Sequence, residues 1–181
     1  MFARGILIAS FAVTLCSAHS VAAQGRPTAP TLQQLSKKSG FIFAGTVLGI
    51  TRSGRADSLP ILTISLHVDQ GIRGVKSGPT FTFRQLAGLQ EAGKHYRIGE
   101  HVLLFLYPPS KLGLTTPVEG RFGRFEMDGD GRVLLEEARV SALASDPVLR
   151  RPLRSVPARR TAAVTNRLFR RAVTRSLESQ Q

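Results

Sequence analysis

Phe41-Ile42-Phe43-Ala44-Gly45-Thr46-Val47-Leu48-Gly49-Ile50 decides the fold. The stretch carries no charge, is apolar and partly β-branched, and reads as a strand buried on both faces near its start. Gly45 marks a bulge or a close backbone approach. Upstream, Thr31 caps a short helix, with Gln34 at the capping-box spacing. Leu32 and Leu35 lie three apart and dock one helix face on a core, and Gly40 ends the helix.

Downstream, residues 51–59 form a loop, and Pro60 leads into Ile61 to Val68. Leu62, Ile64, Leu66 and Val68 share one face of that strand, and Ile61, Thr63, Ser65 and His67 share the wetter one. Gly71, Gly74 and Gly78-Pro79 punctuate a turn region before a strand at Thr80 to Arg84. Leu86 to Gly99 is a polar connection. Val102 to Tyr107 is the clearest strand in the chain, ended by Pro108-Pro109. Residues 110–120 are a loop, and Arg121 to Met127 is a strand with Phe125 and Met127 on one side. Asp128-Gly129-Asp130-Gly131 is a turn, with Val133-Leu134-Leu135 as the hairpin partner. Five or six short strands, one small helix and no repeated helical segments point to a small barrel or sandwich and argue against a parallel sheet with crossover helices.

The chain has 181 residues and a formal net charge of +13. Its N-terminus has the layout of a secretory signal peptide: Arg4, a short apolar run from Ile6 to Cys16, and Val21-Ala22-Ala23 before Gln24. The run is shorter than the roughly 20 residues a bilayer span requires. An exported chain starting at Gln24 retains no cysteine, because Cys16 is the only one. Disulfides, cysteine nucleophiles and thiolate metal sites are thereby excluded. Charge divides unevenly: residues 24–149 carry a net of +4, whereas residues 150–181 hold nine arginines and the single acid Glu178. Such asymmetry points to an anionic partner or a solvated extension.

Four segments together resemble a known family. A short helix, TLQQLSKKSG, leads into FIFAGTVLGI, and LTISLHVDQGIRG is similar to a second-strand pattern ending in lysine-glycine. Tyr96 to Leu106 matches Y-x-x-G-E-x-x-L-L-F-L, and Gly120 to Phe125 matches G-x-x-G-x-F before the Asp-Gly turn. In these segments the chain resembles bacterial exported β domains similar to the TIMP/netrin module of the OB fold. The resemblance implies a small OB-like (TIMP/netrin-like) barrel with a short N-terminal helix; with the basic, partly helical C-terminal tail read from the chain's own residues, the expected class is all-β. The expected organisation is a signal peptide over 1–23, a flexible leader over 24–30, an OB-like domain over 31–149 and an arginine-rich tail over 150–181. The eukaryotic relatives bind proteases through an N-terminal cysteine and disulfides; a chain starting at Gln24 holds no cysteine and has no residue basis for that inhibition.

No catalytic, cofactor or metal set emerges. His67, His95 and His101 match no zinc spacing. Ser65, His67 and Asp69 alternate along one strand face, whereas a triad needs converging reach. A calcium loop opening at Asp128 would place Arg139 where a bidentate glutamate is needed. Glu119 and Glu126 read as exposed strand carboxylates rather than a glycosidase pair. No phosphate-cradling glycine motif is present, and export together with a sparse basic complement around the strands argues against nucleic acid.

The tail carries the functional reading. Prolines at 147, 152 and 157 make its first half extended or irregular. Thr161 to Ser179 reads as an amphipathic helix with Leu168, Ala172, Phe169, Val173 and Leu177 on one side and Arg167, Arg171 and Arg175 opposite, although Val164 falls near the arginine row. Arg167, Arg170, Arg171 and Arg175 are the expected anion contacts. The expected protein is an exported, periplasmic or secreted, non-enzymatic module. Its partner is an anionic envelope surface or another exported protein, and no transmembrane segment follows signal cleavage. The alternative is a protein-binding or inhibitory module acting through the barrel loops 51–60 and 108–120.

Overall fold

The computed structural model describes residues 29–54, 59–89, 95–154 and 161–180; the expected signal peptide and residues 24–28 of the expected leader lie outside the described residues. The first helix, α1 (Leu32–Lys38), starts as the capping box requires. The Gln34 amide donates to the Thr31 hydroxyl, and the Gln34 side chain accepts from the Thr31 amide at 2.8 Å. Leu32 and Leu35 are both buried.

Four strands follow: β1 (Phe41–Ser53), β2 (Ile61–Arg73), β3 (Thr80–Leu86) and β4 (His101–Leu106). With β5 (Arg124–Glu126) they form an antiparallel sheet in the order β3-β2-β1-β4-β5. The long β1 and β2 are not regular. Pairing runs Ala44 to Gln70 and then Gly45 to Val68, a bulge that skips Asp69. A Cβ at Gly45 would lie 2.4 Å from the His67 carbonyl oxygen, so the backbones approach as only glycine allows.

Side chains of β1 and β4 alternate between two cores. Ile42, Ala44, Leu103 and Phe105 face the helices, and Phe43, Val47, Val102, Leu104 and Leu106 face the other way. The second cluster adds Leu62, Ile64, Leu66 and Val68 from β2, and it contains no helical residue. Tyr96 belongs to the same cluster, and Val75 and Ala87 pack against it. Segment 114–118 touches both β3 and β4. Leu114 bridges Arg84 of β3 in parallel, and Pro117 bridges Leu106 of β4 antiparallel. The Thr115 amide donates to Arg84 O and the Val118 amide to Phe105 O, each at 2.8 Å.

The fold is thus mostly β, but it holds more helix than the sequence patterning implies. The Arg121–Met127 stretch begins as a 3-10 turn at Gly120–Gly123 before β5. The Asp128 turn returns to β6 (Arg132–Leu135), which meets the preceding strand at one bridge, Met127 to Val133. Its full pairing is with β7 (Ala162–Thr165) in a second, two-stranded sheet. Between β6 and β7 lie α2 (Glu137–Leu143) and α3 (Pro147–Arg154), and α4 (Asn166–Glu178) closes the described chain. Phe169, Ala172 and Val173 of α4 are fully buried in the helix-side core. The Phe169 ring stands 5.2 Å from Phe125 and 6.4 Å from Phe105. Residues 162–178 are therefore an integral layer of the body.

Candidate functional site

Helix α4 begins at Asn166, later than Thr161, because residues 162–165 pair with β6. That register explains Val164. It occupies an inward strand position and is 3% exposed, so it never shares a helical face with the arginines. Once Phe169, Ala172, Val173 and Ser176 turn inward, helical geometry sends Arg167, Arg170, Arg171 and Arg175 outward, and all four are exposed. The four expected anion contacts line one groove of 750 Å³, together with Thr174 and Glu178 of the same helix and Ile72 and Val148 opposite.

Three further arginines join this basic face from a helix that the proline spacing argues against. Arg150, Arg151 and Arg154 of α3 line a neighbouring concavity of 380 Å³. Helix α3 packs on α4, and its Leu149 and Leu153 are buried. Its start carries a readable signal: Asp146 accepts from the amides of Val148 (2.8 Å) and Leu149 (3.3 Å), directly before Pro147. An aspartate cap followed by proline in the first helical position is a helix N-terminus. Pro152, which suggests irregular chain in the sequence, sits inside the helix. Arg159 and Arg160 lie outside the described residues.

Ion pairs hold a few cations of the body, whereas Lys37, Arg52, Lys76, Arg84, Arg97 and Lys111 have none among the described residues. Lys38 Nζ meets Glu119 Oε1 at 2.5 Å, and that hydrogen bond and charge hold its ammonium above the usual lysine range. Arg124 pairs with Glu100, and Arg132 binds Asp128 at 2.8 Å and Asp130 at 3.0 Å. Among the described residues, none of the seven α3 and α4 arginines has an ion pair; Arg150 donates only to the Ser145 carbonyl, at 3.4 Å. Arg151, Arg154 and Arg175 stand in last turns, where the helix dipole favours a cation. Arg167 stands in the first turn of α4, where the same dipole disfavours one and no acid compensates. The fold thus gives Arg175 a local role, but Arg167 none.

The other sequence candidates are arranged differently. His67 and His101 flank Thr46 on the neighbouring strands. His67 Nε2 is 3.9 Å from Asp69, which accepts the Thr46 hydroxyl at 3.0 Å. Ser65 pairs with Thr82 at 3.0 Å. Among the described residues no group of three or more histidines, cysteines or carboxylates is placed to hold a metal ion. Asp128 is occupied as the acceptor of its own turn: the Asp130 and Arg132 amides donate to Oδ1 and Arg132 Nε to Oδ2. Its carboxyl is held below the ordinary aspartate value, chiefly by the Arg132 backbone hydrogen bond. Of the two candidate loops, 51–60 begins at the Ser53 end of β1, which pairs with Ile61, and 108–120 follows Leu106, which pairs with Phe41 at the other end. No helix among the described residues is long and apolar enough to cross a membrane. Compared with known proteins, the chain matches no family model and no curated sequence.

Proposed function

We propose that this protein is an exported, non-enzymatic binding module of OB-like build whose α4 arginines contact an anionic envelope surface. The carrying observation is the groove that Arg167, Arg170, Arg171 and Arg175 line together from one helix, with no ion-pair partner among the described residues. The OB-like reading, and with it the TIMP/netrin resemblance, draws support from strand order. β1, β2 and β3 form a meander, β4 returns beside β1, and segment 114–117 bridges β4 antiparallel and β3 in parallel. Export rests on the N-terminal 23 residues.

Residues 24–181 contain every described residue and omit the apolar leader, so they suit a binding assay. The expected result is cosedimentation with phosphatidylglycerol vesicles but not with phosphatidylcholine vesicles. Replacing the four arginines with glutamine abolishes most of it. Equal pelleting of the substituted protein refutes the reading.

One observation favours the barrel-loop alternative. Leu59 (74% exposed) and Leu89 (57%) stand beside Pro60 and Leu86 in an apolar groove at one end of the sheet. Capture of an exported protein that is lost in a Leu59→Asp, Leu89→Asp double variant and kept in the glutamine variant would favour that alternative.

A further inference from the structure

The α4 groove and the α3 concavity meet. The groove of 750 Å³ has Val148 of α3 in its wall, and the concavity of 380 Å³ begins at the neighbouring Pro147. Helix α3 packs on α4, so the two depressions adjoin along it. Each holds guanidinium groups one helical turn apart: Arg150 and Arg154 in the concavity, and Arg167, Arg171 and Arg175 in the groove. Side chains at that spacing are neighbours on the helix surface, about 5–6 Å apart at Cβ. Two such groups can hold one anion between them.

The cations are all of one kind. After Lys111 the chain contains no lysine, and the seven basic residues of α3 and α4 are all arginine. Helix α1, by contrast, ends on Lys37 and Lys38. Diffuse attraction to a negative surface needs only charge, which lysine supplies as a point. A guanidinium adds a planar fork of N–H donors that fits two oxygens of one phosphate. A single carboxylate, Glu178, stands in the groove against four guanidinium groups. The groove wall outside α4 is Gly71, Ile72 and Val148, with no charged side chain. Cations beside an apolar wall suit an amphiphile, because covering Ile72 and Val148 with apolar groups is itself favourable.

We propose that the two depressions together bind the head of a lipid carrying two phosphate groups, one phosphate in each, with the lipid's apolar part against Ile72 and Val148. This rests on the reading of the α4 groove as an anion site and narrows its ligand. A lipid with one phosphate fills one depression, and a second molecule must then be gathered beside it. Two phosphates on one molecule make the second engagement intramolecular, which strengthens binding without any new contact.

Cardiolipin, with two phosphates on one glycerol bridge, is the probe, and phosphatidylglycerol is its singly phosphorylated counterpart. Phosphatidylcholine vesicles carry either cardiolipin or twice its mole fraction of phosphatidylglycerol, so the net surface charge is equal. Residues 24–181 should bind the cardiolipin vesicles about tenfold more tightly. The Arg150→Lys, Arg151→Lys, Arg154→Lys protein keeps the charge and loses the forks, and it should bring that ratio close to one. Deacylated cardiolipin, which keeps both phosphates and lacks the acyl chains, should displace the protein only weakly. Equal binding to the two vesicle types, an unchanged ratio in the lysine variant, or displacement by deacylated cardiolipin as ready as by cardiolipin vesicles would each overturn the proposal. Equal binding leaves the α4 reading standing, whereas binding to neither vesicle type refutes that reading as well. The vesicle comparison on the native chain decides the matter even where the variant does not fold.

Discussion

At Gly45 the β1 backbone passes so close to β2 that a Cβ would stand 2.4 Å from the His67 carbonyl oxygen. Gly45→Ala must push the central strands β1 and β2 away from each other, and it should destabilise the protein by about 2–3 kcal/mol in urea unfolding. Gly49, in the same strand, has nothing within 4 Å of a built Cβ, so Gly49→Ala should change stability by less than about 1 kcal/mol. A glycine in a strand pattern already signals a bulge or close approach, so Gly45 was legible in sequence. The tertiary roles of Tyr96 and Arg139 were not: they depend on residues far along the chain, including Phe83, Arg121 and Arg124. Asp128 supplies a pH test. Its folded pKa lies below its unfolded value, so its stabilising effect is present above the unfolded value near about 3.9 and is lost as pH falls through the folded value. The acid limb of a stability–pH curve should accordingly be shallower in Asp128→Asn than in the native protein, and identical limbs would contradict the turn's electrostatic role.

Elements were legible where local pattern and tertiary demand agree. The alternation of Leu62, Ile64, Leu66 and Val68 gives the inner face of β2, and all four are buried. Val102 to Leu106 is buried at every position, as an apolar run between two cores must be. Local pattern failed where partners are remote. Residues 162–165 carry no strand signal strong enough to separate them from the following helix; pairing with β6 makes them a strand. Helix α2 (Glu137–Leu143) receives no side-chain cap bond at its N-cap position 136 and is tied down by Arg139, which donates to the Arg121 and Arg124 carbonyls. Two substitutions test the helix layer. Phe169→Ala removes a ring packed on Phe105 and Phe125 and should cost about 3–5 kcal/mol. Asp146→Ala removes the α3 cap and should cost about 1 kcal/mol. A Phe169→Ala protein as stable as the native one would mean that α4 lies outside the core.

Over the whole molecule, burial and charge divide the C-terminal third between two tasks. One side of α3 and α4 completes a core, and the other presents seven arginines in adjoining concavities. Charge asymmetry was visible in composition; that it forms a fixed surface was not, because the docking of α4 depends on Phe105 and Phe125 of the sheet. Deleting the C-terminal segment would expose that core and confuse folding with binding. Charge substitution separates them, since exposed arginine-to-glutamine changes cost about 0.5 kcal/mol or less per site. Near an anionic surface each arginine contributes up to about 1 kcal/mol, so four removed together should lower affinity on the order of a hundredfold at low salt. Rising salt screens the contacts and should bring the two proteins together. The deciding measurement is the affinity of residues 24–181 for phosphatidylglycerol vesicles across a salt series, beside the Arg167→Gln, Arg170→Gln, Arg171→Gln, Arg175→Gln protein. The account predicts steep salt dependence for the native chain and a weak, nearly flat response for the variant; superimposable curves would contradict it.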